Sequence, residues 1–300
     1  IKNGTFAWDN EETQKHSGNM NALFQRKEPG MKMKDKKKSS QVQEAPPKKI
    51  ENILHDINFT VNPGEMVGVI GEVGSGKSSL VSALIGEMHK VSGEVCYKGK
   101  IAYVPQQAWL RNTTLKENII FGEPFDEKRY KHVLKVCELS DDISVLPGGD
   151  QTEIGERGIN LSGGQKQRIS IARALYSNAD IYIIDDCLSA LDAYVGRRIY
   201  ENVLKGELKS KTIIFITHAL HYVTEADRVI VMKNGRIVEM DSPDALKEDS
   251  ESEYNRLTVN IQHEDDEEEE EKNNQQDEEL KLSKQKSLHL EKKQSSTASS

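Results

Sequence analysis

Short apolar runs separated by helical patterns fill much of the chain between residues 53 and 248. Residues 66–70 and 181–184 are apolar runs of strand length, as expected for buried parallel strands. After the first run, apolar residues recur at helical spacing: Leu80, Val81, Leu84, Ile85 and Met88. A buried strand followed by an amphipathic helix is the repeating unit of an α/β fold, which we predict for this chain.

Further strand patterns extend the predicted sheet and give it an antiparallel edge. Strands are predicted over residues 1–9, 53–61, 93–97, 101–104 and 211–217. Residues 229–232 and 237–240 flank an Asn234-Gly235 turn, the usual connection of a β-hairpin. The hairpin predicts an antiparallel β edge on an otherwise parallel sheet.

Residues 111–175 carry helical rather than strand patterns. Thr114 and Glu117 match the capping box that begins many helices, and residues 129–139 have one apolar face. We therefore predict a helical subdomain inserted between strands of the sheet. Ser242-Pro243 predicts the start of one more short helix after the hairpin.

Two segments are too polar to bury enough surface to offset the entropy of ordering them. The first segment, residues 10–49, includes the basic run 32–38. The second, residues 249–300, includes eight consecutive acidic residues at 264–271. The predicted organisation is thus one domain over residues 1–248, with a disordered insertion at 10–49 and a charged linker or tail from 249 to 300.

Composition excludes several classes of protein. Cys96, Cys137 and Cys187 lie far apart without a Cys-x-x-Cys pair, which favours reduced thiols and disfavours a zinc site. We expect neither a signal peptide nor a membrane span, because no apolar run is long enough. The net charge is −8, and the predicted domain has no basic stripe with interleaved aromatic residues, so nucleic acid is not an expected partner.

The clearest candidate for chemistry is a phosphate-binding loop between the first buried strand and its helix. Residues 71–78 read Gly-Glu-Val-Gly-Ser-Gly-Lys-Ser and fit the pattern G-x-x-x-x-G-K-[ST]. Glycines let successive backbone N–H groups turn toward an anion, and the helix that follows points its positive end at the same place. Lys77 would add charge at the outer phosphates and Ser78 a hydroxyl ligand for Mg²⁺.

Other candidate residues follow later strands. Asp185 and Asp186 end the second buried run, where a carboxylate can hold the water shell of Mg²⁺. His218 comes directly after the strand at 211–217, and Pro105 exposes Gln106 in a loop after the strand at 101–104. A further anion-binding turn, Leu161-Ser162-Gly163-Gly164-Gln165, opens a helix.

Together these motifs resemble the nucleotide-binding domains of ABC transporters. The phosphate loop, Gln106, Leu161–Gln165, Asp185, Asp192 and His218 occur in that family's order. Finer features resemble the first nucleotide-binding domain of subfamily C, the multidrug-resistance-associated proteins. They are Tyr-Val-Pro-Gln-Gln-Ala-Trp at 103–109, Glu-Asn-Ile-Ile-Phe-Gly at 117–122, Gly-Glu-Arg-Gly-Ile-Asn at 155–160 and Tyr-Ser-Asn-Ala-Asp-Ile-Tyr at 176–182.

The resemblance implies an ABC-type ATPase core and a set of site residues. Trp8 would stack on adenine, and the phosphates would be held by Gly71, Glu72, Val73, Gly74, Ser75, Gly76, Lys77, Ser78 and Ser79. Mg²⁺ would be bound by Ser78, Gln106 and Asp185, and the catalytic set would be Asp186, His218 and Gln106. Leu161, Ser162, Gly163, Gly164 and Gln165, with Asp192 in the following D-loop, would act on ATP held by a second domain.

One position departs from the family pattern. Most active ABC domains carry Glu after the strand-end Asp, as the base that polarises the attacking water, whereas this chain carries Asp186. The shorter side chain predicts a degenerate site that binds ATP and hydrolyses it slowly, a substitution that subfamily C often shows in its first domain.

The resemblance also implies partners and a location. These are a second nucleotide-binding domain in a head-to-tail dimer, transmembrane domains of the same transporter, and the cytosolic face of a membrane. Ser283 and Ser287 lie among lysines, as candidate sites for a kinase acting on the linker.

Two other functions stay open at this point. One is an ATP-gated regulatory domain of a channel or receptor in the same subfamily, and the other is a soluble ABC ATPase acting on ribosomes or DNA. Measured flux against ion conductance separates the first from a transporter, and the flanking sequence separates the second.

Overall fold

The computed structural model describes residues 1–8, 52–155 and 160–258. The strands are β1 (Lys2–Ala7), β2 (Asn52–Ile57), β3 (Met66–Ile70), β4 (His89–Glu94), β5 (Ile101–Val104), β6 (Thr113–Thr114), β7 (Glu153–Ile154), β8 (Ile181–Asp185), β9 (Thr212–Ile216), β10 (Arg228–Lys233) and β11 (Arg236–Asp241). The helices are α1 (Lys77–Ile85), α2 (Leu115–Ile120), α3 (Glu127–Val136), α4 (Ser140–Val145), α5 (Gly163–Tyr176), α6 (Ala193–Ile199), α7 (Leu220–Val223) and α8 (Pro243–Glu248). A 3-10 turn (Gly149–Gln151) precedes β7, and a π-helical segment (Tyr200–Glu207) continues α6.

The predicted α/β class is confirmed. Six strands form one sheet in the order β11-β10-β3-β9-β8-β5, in which only β11 runs antiparallel to its neighbour. The antiparallel pair is the hairpin predicted from Asn234-Gly235. A smaller antiparallel sheet has the order β2-β1-β4.

Both faces of the six-stranded sheet are covered. Side chains alternate between faces along a strand, and in β8 Tyr182 and Ile184 join one apolar cluster while Ile183 joins the other. The first cluster includes residues of α5 and of the other helices in the 111–175 region. The second contains α1 and the small sheet, through residues such as Phe6 and Leu54. The phosphate-loop helix is therefore held between the two sheets.

One predicted strand is displaced along the chain. The prediction placed it at residues 93–97, but β4 spans His89–Glu94. Its pattern is mostly exposed, so hydrophobic periodicity does not reveal it, and pairing with β1 decides its position. Gly93 has φ +84° and would place a Cβ 2.3 Å from the Asn3 carbonyl oxygen, so the strand ends at a close backbone approach.

The chain divides into two compact units, the first being Ile1–Pro243. In the second, residues 253–258 form a helix within the region predicted as linker or tail. The Ser252 hydroxyl accepts from the Asn255 backbone N–H at 3.1 Å, as an N-cap does, and Tyr254 and Leu257 are buried. The predictions of disorder over residues 10–49 and beyond 258 fall outside the described residues. In the described part of the chain, no helix is both long and apolar enough to cross a bilayer.

Candidate functional site

The predicted phosphate loop connects β3 to α1 through backbone angles that favour glycine. Gly71, Gly74 and Gly76 have φ values of +151°, +83° and +105°. A Cβ on Gly71 would lie 2.3 Å from the Met232 carbonyl oxygen and 2.6 Å from Ser75 Oγ. Both contacts are too short for a side chain, so the loop passes close against β10 because position 71 has none.

Gly71→Ala is expected to destabilise the fold more than Gly74→Ala does. Both positions have positive φ, which costs an alanine roughly 1 to 3 kcal/mol. Only position 71 adds a backbone clash, and overpacking of that kind costs roughly 1 to 3 kcal/mol more. A Cβ at position 74 meets nothing within 4 Å. Denaturant unfolding of both variants measures the difference, and equal losses would contradict the described packing of Gly71 against β10.

The interior of the loop contains polar groups suited to an anion. The Ser75 hydroxyl is buried and has no hydrogen-bond partner among the described residues. Lys77 is 7% exposed, and its ammonium donates to the carbonyl oxygens of Gly71 at 2.6 Å and Glu72 at 3.0 Å. No side chain within the described ranges caps the first turn of α1, which begins after Gly76. Buried polar groups are normally paired, so this arrangement fits a phosphate that would accept from them.

The turn between β10 and β11 is hydrogen-bonded to the phosphate loop. The Gly235 N–H donates to the Ser75 carbonyl at 2.9 Å, and the Gly235 carbonyl accepts from the His55 N–H at 2.9 Å. A Cβ on Gly235 would lie 2.0 Å from the Ile53 carbonyl oxygen. The sequence predicts this turn but gives no sign that it contacts the phosphate loop, because the contact is made by backbone atoms.

Predicted residues from three other segments meet at the carboxyl end of the parallel strands. Asp185 ends β8, Asp186 follows it with φ +42°, and both are buried. The Asp186 carboxylate accepts from the Gln106 side-chain amide at 3.2 Å and from the His218 backbone N–H at 3.4 Å. The side chain of His218 is exposed. Parallel strands bring their carboxyl ends to one edge of the sheet, which explains why residues so distant in sequence lie together.

The electrostatics of this edge reflect two buried carboxylates beside one ammonium. Burial lowers the pKa of Lys77, and the charges of Asp186 and Asp185 partly oppose that shift. Burial and the neighbouring Asp186 raise the pKa of Asp185. Burial, with the negative charge of Asp185 next, also raises the pKa of Tyr103 to about 12. Tyr103 is thus a neighbour of Asp185; it begins the 103–109 motif, but the sequence gives no sign of this contact.

The turn at residues 161–165 is a helix N-terminus with available donors. Ser162 is the N-cap of α5: its hydroxyl accepts from the Gln165 N–H at 3.2 Å, and its own N–H donates to Gln165 Oε1 at 2.9 Å. The N–H groups of Gly163 and Gly164 make no hydrogen bond to the described residues. Leu161 is buried in the first apolar cluster. No hydrogen bond or ion pair within the described ranges joins this turn to the phosphate loop.

The remaining predicted residues lie at the ends of elements. Trp8 follows β1 and is 46% exposed, and Val73 at the tip of the phosphate loop is 91% exposed. Ser78 lies exposed in the first turn of α1, with Ser79 beside it. Asp192 is the N-cap of α6, where its carboxylate accepts from the Val195 N–H at 3.0 Å. Of the predicted site residues in the described ranges, only Gln106, Asp186 and His218 are joined by hydrogen bonds between different segments of the chain.

Comparisons with known proteins agree with this geometry. Residues 54–189 match the family model described as ABC transporter. The chain is 59% identical over 190 residues to ABC transporter C family member 8 of Dictyostelium discoideum, which covers 62% of this chain and 12% of that protein. It is 55% identical over 198 residues to ATP-binding cassette sub-family C member 2 of Homo sapiens, covering 65% and 13%. With sub-family C member 3 of Rattus norvegicus it shares 54% over 189 residues, covering 62% and 12%.

The chain therefore spans about an eighth of the length of these curated relatives. The segment 54–189 contains the phosphate loop, the Asp185-Asp186 pair and the helix that begins at Gly163. Fold, site geometry and sequence similarity agree: residues 54–189 match the ABC transporter family, and the aligned part of the chain shares about 55% identity with members of subfamily C.

Proposed function

We propose that this chain is the first nucleotide-binding domain of a subfamily C exporter, which binds Mg-ATP and dimerises with a second such domain to drive transport. The observation that carries the proposal is the phosphate loop itself. A buried ammonium lies beside two buried carboxylates at one sheet edge, and the same loop contains a buried hydroxyl without a hydrogen-bond partner among the described residues. A loop with these donors suits a polyphosphate, and the carboxylates suit the cation that accompanies it.

In the proposed complex the phosphates lie along residues 71–79, with Lys77 at the outer phosphates. The Lys77 ammonium donates two of its three N–H groups to carbonyls of its own loop, and the third remains for a phosphate oxygen. Ser75 supplies the hydroxyl that has no hydrogen-bond partner in the described part of the chain. Trp8, exposed at the end of β1, provides a ring for the adenine base.

Mg²⁺ fits the residues at the end of β8. Ser78 and Gln106 offer oxygen ligands, and Asp185 would hold the water shell of the ion. When bound, the ion neutralises charge on the outer phosphates. Asp185 and Asp186 are adjacent and buried with a single ammonium nearby, so a divalent cation would relieve their mutual repulsion.

The turn at residues 161–165 serves the nucleotide of the partner domain in this proposal. The free N–H groups of Gly163 and Gly164 and the Ser162 hydroxyl would face the γ-phosphate held by the second domain, with Asp192 at the same dimer interface. Transmembrane domains of the same protein would place the dimer at the cytosolic face of a membrane. Regulation through a kinase concerns Ser283 and Ser287, outside the described residues.

The domain's own site is proposed to be degenerate because of Asp186. An aspartate is one methylene shorter than the glutamate usual at this position, and a general base must first reach its water. The Asp186 carboxylate is also held by the Gln106 amide and the His218 N–H. Slow hydrolysis at this site leaves most turnover to the site completed by residues 161–165.

Asp186→Asn is expected to leave most of the ATPase activity of the full-length protein. The amide keeps an oxygen for the His218 N–H, and Gln106 can turn its own amide to match, so the local packing is retained. Asp186→Glu is expected to raise turnover, because the longer side chain restores reach to the water. Steady-state ATPase assays on both variants test this. A loss of two decades in Asp186→Asn would show that Asp186 is a working base.

A further inference from the structure

A half-buried carboxylate outside the nucleotide site contacts the turn at residues 161–165. Asp142, in α4, accepts a hydrogen bond from Gln165 Nε2 through Oδ1 at 2.9 Å. Arg168 Nη1 lies 2.9 Å from Asp142 Oδ2, and both side chains are less than a fifth exposed. Among the described residues Oδ2 accepts no hydrogen bond, so this second contact is an ion pair. None of the motifs in the sequence includes Asp142.

The contact fixes which way the Gln165 side chain faces. Its Oε1 accepts from the Ser162 N–H at 2.9 Å, while its Nε2 donates to Asp142. A turned-over amide would present Oε1 to the carboxylate and Nε2 to the Ser162 N–H, and both contacts would be repulsive. Asp142 therefore holds Gln165 in the orientation that completes the capping box of α5.

The capping box in turn sets the donors that face outward. With Gln165 holding the Ser162 N–H and Ser162 Oγ occupied as an acceptor, the hydroxyl proton of Ser162 and the N–H groups of Gly163 and Gly164 remain available. Arg168 anchors the carboxylate from one turn further along α5 and also donates to the Glu138 carbonyl. The arrangement thus ties α4 to the first turn of α5.

We propose that Asp142 is a positioning residue for ATP hydrolysis at the partner's site, acting through Gln165. This inference rests on the proposed function, since it needs residues 161–165 to face a second domain's nucleotide. Asp142 touches no nucleotide in this arrangement. It keeps Gln165 from rotating, so that the donors of the turn stay where charge develops during hydrolysis.

Two substitutions of similar shape separate the hydrogen bond from the charge. Asp142→Asn and Asp142→Leu both remove the charge facing Arg168, but Asn keeps an oxygen that can accept from Gln165 and Leu keeps none. In the full-length protein we expect the ATPase kcat to fall about tenfold in Asp142→Leu and to stay within about threefold in Asp142→Asn. Asp141→Leu is the matched control, because Asp141 is exposed on the same turn.

Two further readouts distinguish positioning from a loss of folding. The Mg-ATP affinity of the 300-residue chain should be equal in all variants, because the phosphate loop is untouched. The backbone N–H of Gln165 donates to Ser162 Oγ. Its hydrogen exchange should become faster in Asp142→Leu but not in Asp142→Asn or Asp141→Leu.

The inference is overturned if the Leu and Asn variants show equal kcat, or if exchange at Gln165 is unchanged in Asp142→Leu. Neither result affects the proposal of ATP binding. That proposal fails separately, if the unmodified chain does not bind Mg-ATP, and the exchange measurement still decides whether Asp142 holds Gln165.

Discussion

Gly163→Asp should lower the ATPase activity of the full-length protein by two to three decades. Gly163 is the first residue of α5, and its N–H makes no hydrogen bond to the described residues. We propose that this N–H faces the partner's γ-phosphate. A carboxylate there repels that phosphate and blocks the close approach of the backbone. Loss of a donor to developing charge costs about 3 to 4 kcal/mol, which corresponds to the expected fall.

This loss should not come from misfolding. A Cβ on Gly163 meets nothing within 4 Å, and an acidic residue in the first turn of a helix is favourable to the helix dipole. The thermal midpoint of Gly163→Asp should therefore equal or exceed that of the unmodified chain. Gly163→Asn is the matched control for charge, and it should retain more activity than Asp. Half or more of the activity in Gly163→Asp would contradict the role proposed for this turn.

Lys77→Ala should weaken Mg-ATP binding by this chain roughly 10- to 100-fold. The expected size follows from a lost charged hydrogen bond, which is worth about 1.5 to 3 kcal/mol. The ammonium is buried on the loop and held by the Gly71 and Glu72 carbonyls, so it is positioned before any nucleotide arrives. Isothermal titration calorimetry of the two proteins measures the change.

The control for Lys77→Ala is a lysine removed far from the loop. Lys128→Ala takes the same charge from the exposed face of α3 and should leave the affinity unchanged. Because the Gly71 and Glu72 carbonyls lose a donor in Lys77→Ala, denaturant unfolding of that variant should accompany the titration. Equal affinity of a folded Lys77→Ala protein and the unmodified chain would refute the assignment of the phosphate loop.

The sequence predicts the fold best where burial and backbone chemistry are local. The run at 66–70, the glycines of the loop and the spacing of Leu80 and Leu84 together specify β3, the turn and α1. The hairpin at Asn234-Gly235 is local in the same sense. Each of these signals depends on neighbours within a few residues, which is the range over which periodicity and turn chemistry act.

Contacts between distant segments were beyond what patterns reveal. β4 is mostly exposed and is positioned by its pairing with β1, some 90 residues earlier. The contact of Gly235 with Ser75 is made by backbone atoms, which leave no mark in the sequence. The contact of Asp142 with Gln165 joins two polar stretches whose sequences give no sign that they meet. For the candidate site, the resemblance predicts Gln106, Asp186 and His218 as one catalytic set. The parallel strands bring these residues together, and the hydrogen bonds that join them could not be predicted from the motifs.

We propose above all that this chain binds Mg-ATP at its phosphate loop and hydrolyses it slowly. The most direct test is a calorimetric titration of ATP, with and without Mg²⁺, into the 300-residue chain, with inorganic phosphate measured at the end. We expect one saturable, Mg²⁺-dependent site per chain and almost no released phosphate. Absence of saturable binding, or rapid phosphate release by the chain alone, would contradict it.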